Sequence, residues 1–190
     1  GVELEINPAF NLSDIFTQLR RKEADLAAAG LARTEQCAEQ FPHSVPYSQF
    51  KPQVIYVAGS YRPRKLSDIG DMEILVMAQS SHLQTLQQLK KSELPDLKWK
   101  EVTEVDSMEL LGRLNAGDAE LAIVDSNEFS VQQSLYPRLK VAFDLGTSQG
   151  MVWYLPPEAD NTRLLARINT MLTRLQRDNT LEQLREKHFG

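Results

Sequence analysis

Cysteine is almost missing from this chain: Cys37 stands alone, so no internal disulfide can form. The three histidines, His43, His82 and His188, are far apart and show no metal-ligand spacing, so no metal site is expected. There is no P-loop, no G-x-S-x-G and no H-E-x-x-H, and no cofactor is expected. Carboxylates are plentiful, but none stands in a context that suggests glycoside chemistry. No apolar run approaches the length of a membrane span, and no signal peptide stands at Gly1. Gly1-Val2-Glu3-Leu4 reads as the interior of a domain. Lysine and arginine never gather beyond Arg20-Arg21-Lys22, and the formal net charge is −5. That balance argues against a nucleic-acid partner. No repeat of fixed period and no low-complexity stretch is present.

What is there is an ordinary globular composition over 190 residues, 42% hydrophobic and 25% charged, enough for one large domain or two small lobes. Strands are predicted at Val2–Ile6 (by alternation), Leu26–Ala29, Gln53–Ala58, Met72–Ala78, Lys98–Val105, Leu121–Val124, Leu139–Leu145 and Met151–Leu155. Helices are predicted from Asn11 or Ser13 to about Glu23, after Ser80 or Ser81, at Ser107–Asn115 and Asn127–Leu135, after Asn161 or Thr162, and at Leu181–His188. Met72–Ala78 is nearly continuous in apolar character, as in a sheet covered on both faces. Tyr61-Arg62-Pro63-Arg64 reads as a linker. Strands alternate with helices almost throughout, which is the pattern of an α/β fold.

The segment Leu114 to Asp125 carries the most information. It is a helix end, a Gly117 turn and a short buried strand that stops on an aspartate. A nearly parallel phrase runs from Arg21 to Gly30. In open α/β sheets, ligands sit beyond the carboxyl ends of strands, so two such units face to face would form a cleft. This favours binding over catalysis. Asp125 either accepts hydrogen bonds from a ligand ammonium or only caps the following helix. Ser80 and Ser81 open a helix, where they suit a carboxylate or phosphate or simply cap. Gly30 lets backbone approach a ligand closely, and Ala32 follows it on the same segment. Thr34 can cap a short helix. Arg33 is either a cleft cation or a surface residue, and Cys37 is a small buried residue rather than a nucleophile. Tyr47, Phe50, Tyr56, Tyr61, Trp153 and Tyr154 could line a pocket, one or two of them as ligand contacts.

Gly30-Leu31-Ala32-Arg33-Thr34-Glu35-Gln36-Cys37 through Ser44-Val45-Pro46-Tyr47 resembles the first-lobe signature of type II periplasmic amino-acid-binding proteins, family 3 of the solute binders. Gly117 to Asp125 resembles their second-lobe signature, and Met72–His82 the strand and helix start between them. A narrower resemblance is to the non-catalytic domain of the membrane-bound lytic murein transglycosylase F family. It rests on Tyr61-Arg62-Pro63-Arg64, Leu83-Gln84-Thr85-Leu86, Pro95-Asp96-Leu97-Lys98-Trp99-Lys100, Val124-Asp125-Ser126, Asp160-Asn161-Thr162 and Glu186-Lys187-His188-Phe189-Gly190.

The resemblance implies a type II periplasmic-binding-protein-like α/β fold of two hinged lobes. Lobe 1 is expected at 1–65 and 145–190, truncated at its N-terminus, and lobe 2 at 66–144. Crossings are expected near Ser60–Lys65 and Asp144–Gln149. The resemblance further implies a ligand-sensing regulatory domain of a peptidoglycan lytic transglycosylase, periplasmic, with the parent attached to the outer membrane. A lysozyme-like catalytic domain would follow Gly190, so this chain itself is not expected to be an enzyme. The ligand would be a small peptide, muropeptide or amino-acid-like molecule, held by Gly30, Ala32, Tyr47, Ser80, Ser81 and Asp125. A homodimer through the truncated lobe is a further expectation. Two departures from the amino-acid binders stand out: Cys37 replaces their carboxylate-clamping arginine, and Gln79 replaces a glycine before the hydroxyl pair. Both argue against free amino acids as ligands. The alternative reading is a free-standing periplasmic amino-acid- or peptide-binding protein of an ABC transporter.

Overall fold

The computed structural model describes residues 3–78, 80–157 and 160–189. Among the described residues the α-helices and strands follow one another as α1 (Leu12–Arg20), β1 (Ala27–Ala32), α2 (Glu35–Gln40), β2 (Ser48–Phe50), β3 (Pro52–Val57), β4 (Glu73–Met77), α3 (Ser81–Ser92), β5 (Lys98–Val102), α4 (Ser107–Ala116), β6 (Leu121–Asp125), α5 (Ser126–Gln132), β7 (Leu139–Asp144), β8 (Gln149–Tyr154), α6 (Thr162–Arg177) and α7 (Thr180–Phe189), with one short 3-10 turn at Leu66–Asp68. The chain divides into two compact units, residues 1–49 with 150–190 and residues 50–149.

The second unit is built on a five-stranded sheet in the order β5-β4-β6-β3-β7. β4 runs parallel to both β5 and β6, while β3 is antiparallel to β6 and β7. Successive residues of a strand face opposite sides, and the sequence uses this throughout. Val54, Ile74, Val76, Leu121 and Ile123 turn to one face, where Leu83 and Leu86 of α3 meet them. Ile55, Leu75, Ala122 and Val124 turn to the other, against Leu110, Leu111 and Leu114 of α4 and Phe129 of α5. A sheet covered on both faces demands the unbroken apolar runs seen in β4 and β6. Helix ends follow local chemistry. Asp106 caps α4 by accepting from the Glu109 amide at 2.8 Å. Gly117 ends it at φ +93°, a left-handed conformation that costs glycine nothing.

The first unit has a three-stranded sheet, β1-β8-β2. β1 is antiparallel to β8, with Leu31 opposite Val152 and a bulge between Ala27 and Leu31. Leu19, Phe41, Val152 and Tyr154 make one core cluster, and Leu155, Ile168 and Leu172 make another beneath α6. Tyr154 is fully buried, and its hydroxyl donates to the Ala32 carbonyl at 2.7 Å.

Three expectations need correction. Residues 50–65 do not stay with the first unit, because β3 lies between β6 and β7 and takes its hydrogen bonds from both. The first unit boundary therefore falls at 49/50, not near residues 60–65, while the second falls at 149/150, at the end of the expected Asp144–Gln149 crossing and five residues later than the expected end of lobe 2 at residue 144. The predicted strand Val2–Ile6 is not formed: Val2 lies outside the described residues, and residues 3–9 have no regular structure. Leu4 is 82% exposed and Ile6 79%. Alternation makes a strand only where a neighbour supplies the ladder, and no described strand pairs with this segment.

Candidate functional site

The second unit contains a topological switch. From β4 the chain passes through α3 to β5 at the sheet edge, then returns through α4 on the opposite face to β6, on the other side of β4. The carboxyl ends of β4 and β6 thus lie side by side with helices leaving in opposite directions. That is where open α/β sheets place ligands. α3 begins after β4 and α5 directly after β6, so the first residues of both helices gather at this edge.

Asp125 is the last residue of β6 and occupies the cap position of α5, yet its side chain makes no capping hydrogen bond. Its carboxylate faces His82 instead, with Oδ1 3.0 Å from Nε2. The His82 side chain is 4% exposed and that of Asp125 16%. The pair is close in distance but makes no aligned hydrogen bond, since Asp125 Oδ1 and His82 Nδ1 both remain without a partner among the described residues. Of the two sequence readings of Asp125, plain capping therefore does not describe this residue.

Glu128, three residues on, takes over the cap. Its carboxylate accepts from the Asp125 backbone N–H, the acidic half of a capping box. It also accepts from the Ser107 hydroxyl, which in turn accepts from Gln132 Nε2 at 2.8 Å. Burial, then the negative charge of Asp125, push the Glu128 carboxyl up to about 7; the Asp125 N–H, His82 and Ser107 pull the other way. Glu128 Oε2 and Gln132 Oε1 are buried without donors. The edge thus holds three unsatisfied acceptor oxygens, on Asp125, Glu128 and Gln132. Buried acceptors ordinarily find a donor, so the arrangement suits an N–H-rich, cationic group. Sequence reasoning passed over His82, Ser107, Glu128 and Gln132. The one available signal was the spacing of Asp125 and Glu128, a cap residue followed by an acid at the third helical position.

Ser80 is buried and caps α3, accepting from the Leu83 amide at 3.2 Å and donating to the Met77 carbonyl at 2.6 Å. Both observed roles are internal. Ser81 is half-buried at the first turn, where its carbonyl accepts from Thr85. Ser80, Ser81 and Asp125 are brought to one edge by the parallel pairing of β4 and β6. Gln79 lies outside the described residues.

Gly30, Ala32 and Tyr47 belong to the first unit. The Tyr47 phenol is half-buried and raised above its ordinary value by burial, while hydrogen bonds from the Trp153 side chain and the Gly30 backbone act against the rise. Gly30 and Tyr47 are therefore neighbours. Gly30 is required by its left-handed φ of +67°, not by crowding, since a Cβ there would meet nothing within 4 Å. The Ala32 carbonyl is occupied by Tyr154. Thr34 caps α2 by accepting from the Cys37 amide at 3.1 Å, and Cys37 packs half-buried against the Leu19, Phe41 and Tyr154 cluster. Arg33 pairs with Glu35 at 3.0 Å on the surface. Of the aromatics, Phe50 and Tyr154 are core, Tyr61 is 64% exposed, and Tyr47 and Trp153 form a tilted pair with ring centres 5.9 Å apart.

Comparison with known proteins accords with this fold. Membrane-bound lytic murein transglycosylase F of Ectopseudomonas mendocina is 41% identical over 191 residues, a match that takes in 100% of this chain and 39% of the relative. The protein of the same name from Idiomarina loihiensis is 39% identical over 191 residues, covering 100% of this chain and 42% of the relative. The chain spans about two fifths of the length of the curated relatives it matches. Among solved structures, an ancestral arginine-binding protein bound to arginine has a TM-score of 0.84 at 22% identity, covering 100% of this chain and 82% of that one. AbpA from Streptococcus pneumoniae, bound to L-arginine, has a TM-score of 0.85 at 18% identity, covering 100% and 77%. At such identities the likeness shows the fold alone, an α/β fold of the type II periplasmic-binding-protein kind. The sequence profile of one family matches residues 1–190, so what this chain shares with the transglycosylases is their solute-binding-like portion, and it belongs to the bacterial extracellular solute-binding proteins, family 3.

Proposed function

We propose that this chain is a ligand-sensing domain that binds a cell-wall peptide or muropeptide through an ammonium group, and that in a longer parent it regulates a lytic murein transglycosylase. The observation that carries the reading is the Asp125 carboxylate. It stands at the carboxyl end of β6, released from capping α5, beside the unsatisfied oxygens of Glu128 and Gln132. A carboxylate so placed gains charge-assisted hydrogen bonds from an ammonium. The relatives' names speak of murein, whose peptides carry free amino groups, and of a membrane-bound protein. We accordingly infer a periplasmic location with the parent attached to the outer membrane. Ser80 and Ser81, at the same edge of the second unit, are proposed as further ligand contacts, and Gly30, Ala32 and Tyr47 are proposed as ligand contacts offered by the first unit.

A second reading, an amino-acid-binding protein of a transporter, draws on structural neighbours that hold arginine. Cys37 weighs against it. By the resemblance this position belongs to an arginine that clamps the ligand carboxylate, and a thiol packed against Phe41 and Tyr154 supplies no bidentate donor. Isothermal calorimetry with murein tri- and tetrapeptides and with free amino acids separates the two. Tighter binding of the peptides, weakened by Asp125→Asn, supports the sensing domain. Micromolar binding of a free amino acid, unchanged by Asp125→Asn, refutes both the ligand and the site.

A further inference from the structure

Among the described residues, two helices of this protein carry ion pairs along their own length. Arg113 pairs with Glu109 along α4, and Arg185 pairs with Glu182 along α7. α6 is different. Its sixteen residues, TRLLARINTMLTRLQR, contain four arginines and no acid. At about 100° per residue, Arg163, Arg167, Arg174 and Arg177 fall within roughly 80° of one another, on a line about 21 Å long. All four are exposed, and none of their nitrogens lies within 4 Å of a carboxylate among the described residues. The opposite side of the helix is fixed in the core by Ile168 and Leu172 and by Asn169, which accepts from the Val45 amide at 2.8 Å. The stripe is therefore held outward. Arg163, Ala166, Arg167, Thr170, Met171 and Arg174 border an open groove of ≈ 420 Å³.

We propose that this arginine stripe is a docking surface for an anionic phospholipid bilayer. The chain carries a net charge of −5, so a concentration of cations on one straight face, none in a direct ion pair and, among the described residues, only Arg174 near a carboxylate (Asp178), runs against its overall balance. Four basic residues on one side of an amphipathic helix match the pattern that binds anionic headgroups. Guanidinium groups form paired hydrogen bonds with phosphate oxygens. A straight row of outward side chains lets all four reach a plane together. An acidic protein partner fits less well, because the face offers no aromatic anchor of the kind that dominates protein interfaces. A nucleic acid is excluded by the extracellular family and by the acidity of the rest of the surface. The helix does not insert, since its apolar side is already spent on Leu155 and Trp153.

The test is co-sedimentation of the 190-residue chain with vesicles of phosphatidylglycerol and phosphatidylcholine, against vesicles of phosphatidylcholine alone. Binding should require the anionic lipid and should fall steeply between about 0.05 M and about 0.5 M salt. Each arginine should contribute roughly fivefold to partitioning, so changing all four to glutamine should weaken it several hundredfold. Circular dichroism checks that α6 still folds, and replacing all four with lysine should retain most of the binding. Equal binding to both vesicle types, or undiminished binding by the glutamine variant, would overturn the proposal. So would loss of binding in a folded lysine variant. Binding to soluble polyglutamate as tight as to the anionic vesicles would reassign the stripe to an acidic polypeptide.

Discussion

Replacing Glu128 with glutamine tests the buried polar cluster directly. The carboxyl stands at about 7 in the folded protein against 4.5 ordinarily, chiefly because it is buried and secondly because Asp125 is close by. An acid raised in this way makes the folded state hold a proton that the unfolded state has already released. Below pH 4.5 the group is neutral in both states and costs nothing. Between 4.5 and about 7 the folded state binds more protons than the unfolded one, so stability falls as pH rises, and above about 7 the loss is complete. At about 1.4 kcal/mol per pH unit, the full window is worth about 3 kcal/mol, most of it lost between pH 5 and pH 8. Glutamine keeps the acceptor for the Asp125 backbone N–H but cannot ionise. Urea unfolding at pH 5 and pH 8 should show the wild type losing about 2–3 kcal/mol more than Glu128→Gln over that interval. If the two proteins lose equal stability between pH 5 and pH 8, the reasoning about this cluster is wrong.

Three further outcomes follow from the same structure. Asp125→Ala should weaken binding of a murein peptide by about 2 kcal/mol or more, roughly thirtyfold, in calorimetry at neutral pH. Ser80→Ala removes a buried cap and should cost about 1 kcal/mol of stability by urea titration, because its hydroxyl serves Leu83 and Met77; a loss confined to ligand binding would contradict the capping role. Leu111→Ala empties a fully buried position under β6 and should destabilise the second unit by about 2–5 kcal/mol, seen as a lower unfolding midpoint.

Local rules in the sequence determined much of this protein. Asn11, Ser80 and Asp106 are cap residues because a short side-chain oxygen reaches an amide three positions on, a relation contained within a few residues. Gly117 marks the end of α4 for the equally local reason that a left-handed residue closes a helix. The apolar runs of β4 and β6 announced a sheet covered on both faces, and alternating strands and helices announced the α/β class. The place of Asp125 at the junction of a strand and a helix was also legible. Tertiary structure decided what depends on residues far apart in the chain. Strand alternation says which face a residue presents but not which strand will lie beside it. That is why β3 joins β6 and β7, and why residues 3–6, the described part of an alternating segment, do not become a strand. His82 and Asp125 are separated by more than forty positions and meet only because β4 and β6 are parallel neighbours, each sending a helix from the same edge. No spacing rule along the chain encodes that contact, because it arises from the order of strands within the sheet.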